Sequence, residues 1–170
     1  MNKKIYNIKI EKFITHIPKT NNKIAPNKYI KINNQLIYNS NLNRFQRNIV
    51  VNNLHDYLIN YINKELPKLT NPPYQISLDI YAPINYGTVS RRKRKDIPYI
   101  SWKYPEKNYK PNWDIDNLGD IWLKVFKDAL QLSEVLENDN VTFVKINGPT
   151  IFHKIENFDN RKFIFKIKEL

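Results

Sequence analysis

Asp114, Asp116 and Asp120 lie close together in KPNWDIDNLGDIWLKVFKDAL, the stretch from Lys110 to Leu130. Carboxylates this near one another repel, and the start of a helix has use for only part of the set. Asp114 fits an N-cap that accepts from the first free amides, and Asp116 is a favourable charge in the first turn. The repulsion that remains is what a hard divalent cation removes: Mg2+ prefers oxygen ligands and is typically held by one or two carboxylates plus a substrate phosphate. Bound so, it acidifies an attacking water and stabilises charge on a phosphoryl group. The chemistry suggested is hydrolysis of a phosphodiester with Mg2+, or with Mn2+ in its place. Downstream, Asp139 stands in ENDN, whose Asn and Asp residues are also those that a solvated turn favours. From there it can swing back toward the same site or, in a dimer, toward a neighbour.

The acids sit in a basic chain. Lys and Arg number 28 against 16 Asp and Glu, a formal charge of +12. Such a surface asks for a polyanionic partner, and nucleic acid fits because each neutralised phosphate releases condensed counterions. Coding from an AT-rich genome also enriches Lys, Asn, Ile and Tyr whatever the function. The run Arg91, Arg92, Lys93, Arg94 and Lys95 is followed by Tyr99, Trp102, Tyr104, Tyr109 and Lys110. Cations neutralise phosphates and aromatic rings stack on exposed bases. A basic run also suits a solvated loop or a nuclear localisation signal, but its place just ahead of the acids favours contact with DNA.

Those residues need a frame to hold them. Alternation over residues 5 to 15 predicts a strand with Ile8, Ile10 and Phe13 inward. Residues 18 to 41 read mostly as loop, with a brief strand at KYIKI. From Asn41, Phe45, Ile49, Asn52, Leu54, Leu58, Ile59, Ile62 and Leu66 recur at helical spacing and stop before Pro67. After Pro72-Pro73, residues 74 to 83 predict the clearest strand, with Ile76, Leu78 and Ile80 on one face and Ser77, Asp79 and Tyr81 on the other. A long basic connection over 84 to 112 leads to a second helix, roughly 116 to 134. Its stripe of Leu118, Ile121, Trp122, Val125, Ala129 and Leu132 should face the sheet, with Asp116, Asp120, Lys127 and Glu134 opposite. Strands at 141 to 146 and 161 to 170 close the chain. This order predicts a single α/β (α+β) domain over 1–170: two long helices against a small mixed sheet.

Composition narrows the setting. With 170 residues and 41% apolar content the chain can bury one core. The absence of cysteine excludes disulfides and thiolate metal sites. No apolar run is long enough for a membrane span, and MNKKIYNIKI lacks the apolar centre of a signal peptide. The expectation is an intracellular, cytoplasmic protein that is neither secreted nor membrane-bound. His16, His55 and His153 have no partners at metal-ligand spacing; His16 and His153 read as surface residues and His55 as a helix-surface or packing residue.

The pattern Asp-x-Asp-Asn-Leu, then Lys-x-x-x-Asp-Ala-Leu, then an acidic turn before a strand resembles the RusA family of Holliday junction resolvases, small dimeric endonucleases of phage and prophage origin. The matching positions are Asp114, Asp116 and Asn117, Lys124 ahead of Asp128-Ala129-Leu130, and Asp139. The resemblance implies Mg2+ held by Asp114, Asp116 and Asp139, with Lys124 as catalytic or phosphate-contacting base. The family's lysine follows the second Asp by four residues. That position is Asp120 here, which becomes a further candidate ligand, while Lys124 lies one turn on and Lys127 is a further candidate for offsetting charge. The first Asp of the family's acidic turn is Asn138. The similarity covers residues 110 to 145, and the first hundred residues match only in the order of elements and in carrying a basic loop.

What the resemblance implies is a homodimer, at the nucleoid or a viral replication site, that resolves four-way branched DNA by paired symmetric nicks. Flaps or forks are alternative substrates. The competing expectation is a non-catalytic nucleic-acid-binding or regulatory protein whose acids only cap a helix.

Overall fold

The computed structural model describes residues 3–21, 29–38, 41–82, 88–90, 101–103 and 115–170, with only the backbone at 35, 36, 88–90, 101–103, 115–117 and 158. The elements in chain order are β1 (Ile5–Glu11), β2 (His16–Pro18), β3 (Tyr29–Lys31), α1 (Asn34–Tyr38), α2 (Arg44–Glu65), β4 (Tyr74–Ala82), β5 (Thr88–Ser90), β6 (Ser101–Lys103), α3 (Ile115–Leu132), β7 (Val144–Lys154) and β8 (Lys162–Glu169). The fold is mixed α/β, with two long helices on one small sheet.

Four strands form that sheet in the order β1-β8-β4-β7, with β2-β3 and β5-β6 as two-stranded pairs. β8 runs antiparallel to both β1 and β4, while β4 and β7 are parallel neighbours. A parallel pair needs a crossover connection, and α3 supplies it. Period-two alternation sorts the sheet's faces. Ile8 and Ile10 of β1, Ile76, Leu78 and Ile80 of β4, and Phe163, Phe165 and Ile167 of β8 are all fully buried on the helix side.

Aromatic contacts set the direction of α3 along the sheet. Trp122 meets the ring of Phe163 edge-on at 4.9 Å, and one turn later Phe126 stacks on Phe165 at 4.0 Å. α3 therefore runs with β8 and against β4 and β7. Leu118, Ile121, Trp122, Val125 and Ala129 are buried as their spacing predicts, each large side chain contributing roughly 1.5–3 kcal/mol. Leu132 departs from its stripe and is 61% exposed, because the helix ends there and the chain turns away. Glu134, expected on the helix, lies beyond it with φ of 58°.

α2 begins three residues later than the pattern read from Asn41, at Arg44. Asn43 is the N-cap, and its Oδ1 accepts the Gln46 N–H at 2.8 Å. Val50, Leu54, Leu58 and Ile62 form the buried stripe, and Phe45 is left 70% exposed. The strand expected at 141 to 146 starts only at Val144. Asn140 folds the preceding residues into a turn, its Oδ1 accepting from Thr142 N–H and its carbonyl from the N–H groups of Phe143 and Val144. β7 then continues through Gly148 and Pro149, at an irregularity in its pairing with β4. An edge strand tolerates a proline, and a Cβ on Gly148 would stand 2.7 Å from Ser77 Cβ.

Candidate active site

Leu118 onward anchors α3, so the helix's first turn, carrying Asp116, is held at the carboxyl end of β4. In parallel α/β arrangements ligands collect at that edge, where crossover helices present their N-termini. Asp116, Asp120 and Lys127 lie within about 40° of each other around the helix. Asp120 is exposed and forms no ion pair among the described residues. Asp114, Lys110 and the basic residues Arg91, Arg92, Lys93, Arg94 and Lys95 lie outside the described residues. Trp102 belongs to β6 and pairs with Val89 of β5 through the backbone, so part of the basic connection is a two-stranded ribbon instead of loop throughout.

The lysines on α3 are occupied differently. Lys124 is exposed and lies over the ring of Tyr38, its Nζ 4.8 Å from the ring centroid. It stands one turn, about 6 Å, beyond Asp120 and about 12 Å beyond Asp116. Lys127 donates from Nζ to Asn147 Oδ1 at 3.1 Å, on the β7 side. That position is roughly 16 Å along the axis from Asp116, so Lys127 belongs to the middle of the helix and not to its acidic end.

Asp139 is carried to the opposite edge of the sheet. From Asp116 to Leu132 the helix covers about 24 Å. Asn140 is then bonded to the first residues of β7, and Tyr74 N–H, at the start of β4, donates to Phe143 O at 2.7 Å. Asp139, half-buried, thus sits beside the amino ends of β4 and β7. Its backbone and that of Asp116 are on the order of 20 Å apart within one chain, beyond what one ion can bridge. Among the described residues no three His, Asp or Glu side chains are grouped closely enough to hold a metal ion; the side chains of Asp114 and Asp116 are outside that set. As donors the acids of the helix start suit a hard cation: they are carboxylate oxygens, and Asp120 is exposed and without an ion pair among the described residues.

A second charged cluster was not legible as one. Asp79, on the sheet face away from the helices, is only 4% exposed. Lys166 of β8 forms a salt bridge with it, and His153 Nε2 lies 3.7 Å from its Oδ2. His153 also stacks on Tyr81 at 4.2 Å, and Lys162 Nζ lies 4.5 Å from that ring's centroid. His153 is therefore a packed residue and not a free surface one. The same correction applies to His16: burial, with the charge of Lys31 as a lesser cause, lowers its imidazole pKa from 6.5 to about 4. The register pairing His16↔Lys31 would have been the only signal, and it requires knowing that β2 pairs with β3. His55 bridges the long helices, its Nε2 3.5 Å from Asp128 Oδ2, which bears out its reading as a packing residue.

Compared with models of known families and with curated proteins, the chain matches none. Among the described residues no helix is long and apolar enough to cross a membrane.

Proposed function

We propose that this protein is a Mg2+-dependent endonuclease acting on branched DNA, four-way junctions foremost, as the resemblance to the RusA family implies. The observation that carries the reading is the placement of the acidic start of α3, with Asp116 and Asp120 on one side of the helix, at the carboxyl edge of the parallel β4-β7 pair. The +12 charge supports a nucleic-acid substrate. Asp114, Asp116 and Asp120 would hold the ion, which supplies positive charge against the phosphoryl group as negative charge develops there. Lys124, one turn along, offsets charge on a neighbouring phosphate. Because a single chain keeps Asp139 far from Asp116, in this reading Asp139 reaches the ion only from a second copy, and the active unit is a homodimer with two equal sites. Paired nicks across a junction call for that symmetry.

The test is incubation of a labelled four-way junction with the protein, with Mg2+ or with chelator. Asp116→Asn should retain junction binding and melting temperature while losing cleavage by at least about 100-fold. If the variant nicks at the wild-type rate, or chelator has no effect on wild-type cleavage, the acids do not hold a catalytic metal. Binding with no cleavage by the wild type under any divalent ion would leave a non-catalytic DNA-binding protein.

A further inference from the structure

The geometry points to Gly119 and Thr150 as a positioning pair that seats the acidic end of α3 on the sheet, an inference that rests on the metal-site reading above. Gly119 lies three residues after Asp116 and one before Asp120. A Cβ placed there would stand 2.5 Å from Thr150 Oγ1, 2.7 Å from Thr150 Cγ2 and 2.9 Å from Thr150 Cβ. Ordinary van der Waals contact for such an atom begins near 3.4 Å. Rotating the threonine side chain cannot relieve the last of the three contacts, because its Cβ is fixed to the backbone. Nor can the strand easily retreat, since Thr150 is paired with Leu78 in the middle of β4. Glycine weakens a helix interior relative to alanine, so its use at this point trades helix propensity for a close approach of helix and strand.

What that approach determines is the height of the first turns of α3 above the sheet edge. Farther along, the helix is held by Trp122 and Phe126 against Phe163 and Phe165. Crowding at Gly119 would therefore lift the end that carries Asp116 and Asp120 and leave the rest in place. The displacement needed is about 1 Å, a misplacement that can cost roughly 100-fold in a catalytic site. Gly119 and Thr150 act through the acids and not by contact with metal or DNA.

The experiment uses the full chain and two readouts: Mn2+ affinity, measured by titration of the protein alone, and the Mg2+ dependence of junction cleavage. Gly119→Ala should weaken Mn2+ binding by about 10-fold and raise the Mg2+ concentration for half-maximal cleavage. Thr150→Ile, which crowds the contact from the strand side, should do the same. Gly119→Ala combined with Thr150→Gly, which removes all three offending atoms, should restore both readouts toward wild type. Val50→Ala, a cavity under α2, lowers stability without changing either readout. The pair has no positioning role if Gly119→Ala and Thr150→Ile bind Mn2+ as wild type does. It also has none if the double variant is no better than Gly119→Ala, or if Val50→Ala produces the same loss. A wild-type protein that binds Mn2+ but leaves junctions whole would sink the nuclease reading and leave the positioning claim to the Mn2+ titrations alone.

Discussion

His16 shows how one side chain ties stability to acidity. Its folded pKa of about 4, against 6.5 as its ordinary value, means that the native protein holds the ring neutral. The unfolded chain binds that proton more readily between those two values, so the contribution of His16 is complete above about pH 6.5 and erodes as pH falls toward 4. Lowering pH from 7 to 5 should cost about 1–2 kcal/mol, since part of the ring still meets solvent. Urea denaturation at the two pH values measures it, and His16→Gln, which never charges, should flatten the difference. A midpoint in the wild type that does not move over that range would mean the ring is protonated in the folded state. Asp79 makes a related point about charge on the far face of the sheet. Its ion pair with Lys166 is shielded on the carboxylate side and partly wet on the ammonium side. Alternation placed Asp79 on the correct face, but burial there depends on what β7 and β8 bring beside it.

At the level of elements, long periodic segments are largely legible and most short ones are not. The stripes of α2 and α3 repeat over several turns, so spacing gives Leu54, Leu58 and Ile62 of α2 and Leu118 to Ala129 of α3 as packing residues, but near the start of α2 the buried position is Val50, while Phe45 and Asn52 are exposed. α1 has five residues, too few for a period to emerge from the Asn-rich stretch around it. The start of β7 was misplaced because Val141, Thr142 and Phe143 look like strand residues, whereas Asn140 captures the amides of Thr142, Phe143 and Val144 in a turn. Its later half is not legible, because Gly148-Pro149 reads as a chain break unless the strand is known to be at an edge. KYIKI signals β3, whereas its partner β2 and the β5-β6 pair, also of three residues per strand, are hidden by polar and basic surroundings. The cap of α2 provides a prediction at this scale. Asn43→Ala removes the acceptor for Gln46 N–H and should lower stability by about 1 kcal/mol in chemical denaturation, while Asn43→Asp should stay near wild type. Equal losses for both would show that the side chain caps nothing.

For the whole molecule, the spacing of acids in the sequence suggested one cluster, and the topology separates it. The local part of the candidate site, Asp114 to Asp120, is contiguous in the sequence. The position of Asp139 depends on α3 being a crossover between parallel strands, which carries the chain from one edge of the sheet to the other. No local pattern encodes that. A mixing experiment follows from the proposed dimer. Asp116→Asn and Asp139→Asn chains should each be inactive alone, but co-refolded they form mixed dimers in which one site regains both carboxylates. Such a mixture should nick one strand of a junction without the paired second cut, and a mixture as inactive as its parents would rule out sites shared between copies.

The sheet order β1-β8-β4-β7 also bears on how the protein comes into being. The last of the described strands in chain order, β8, is interior, flanked on both sides by strands made long before it, and it brings Phe163, Phe165 and Ile167 to the core. While β8 is still within the ribosome, β1 has no neighbour in the sheet and the rings of Phe13, Trp122 and Phe126 lack the surface they finally cover. The nascent chain therefore cannot assemble its core vectorially, segment by segment: only once β8 has emerged and paired with β4 does β1 gain a place in the sheet.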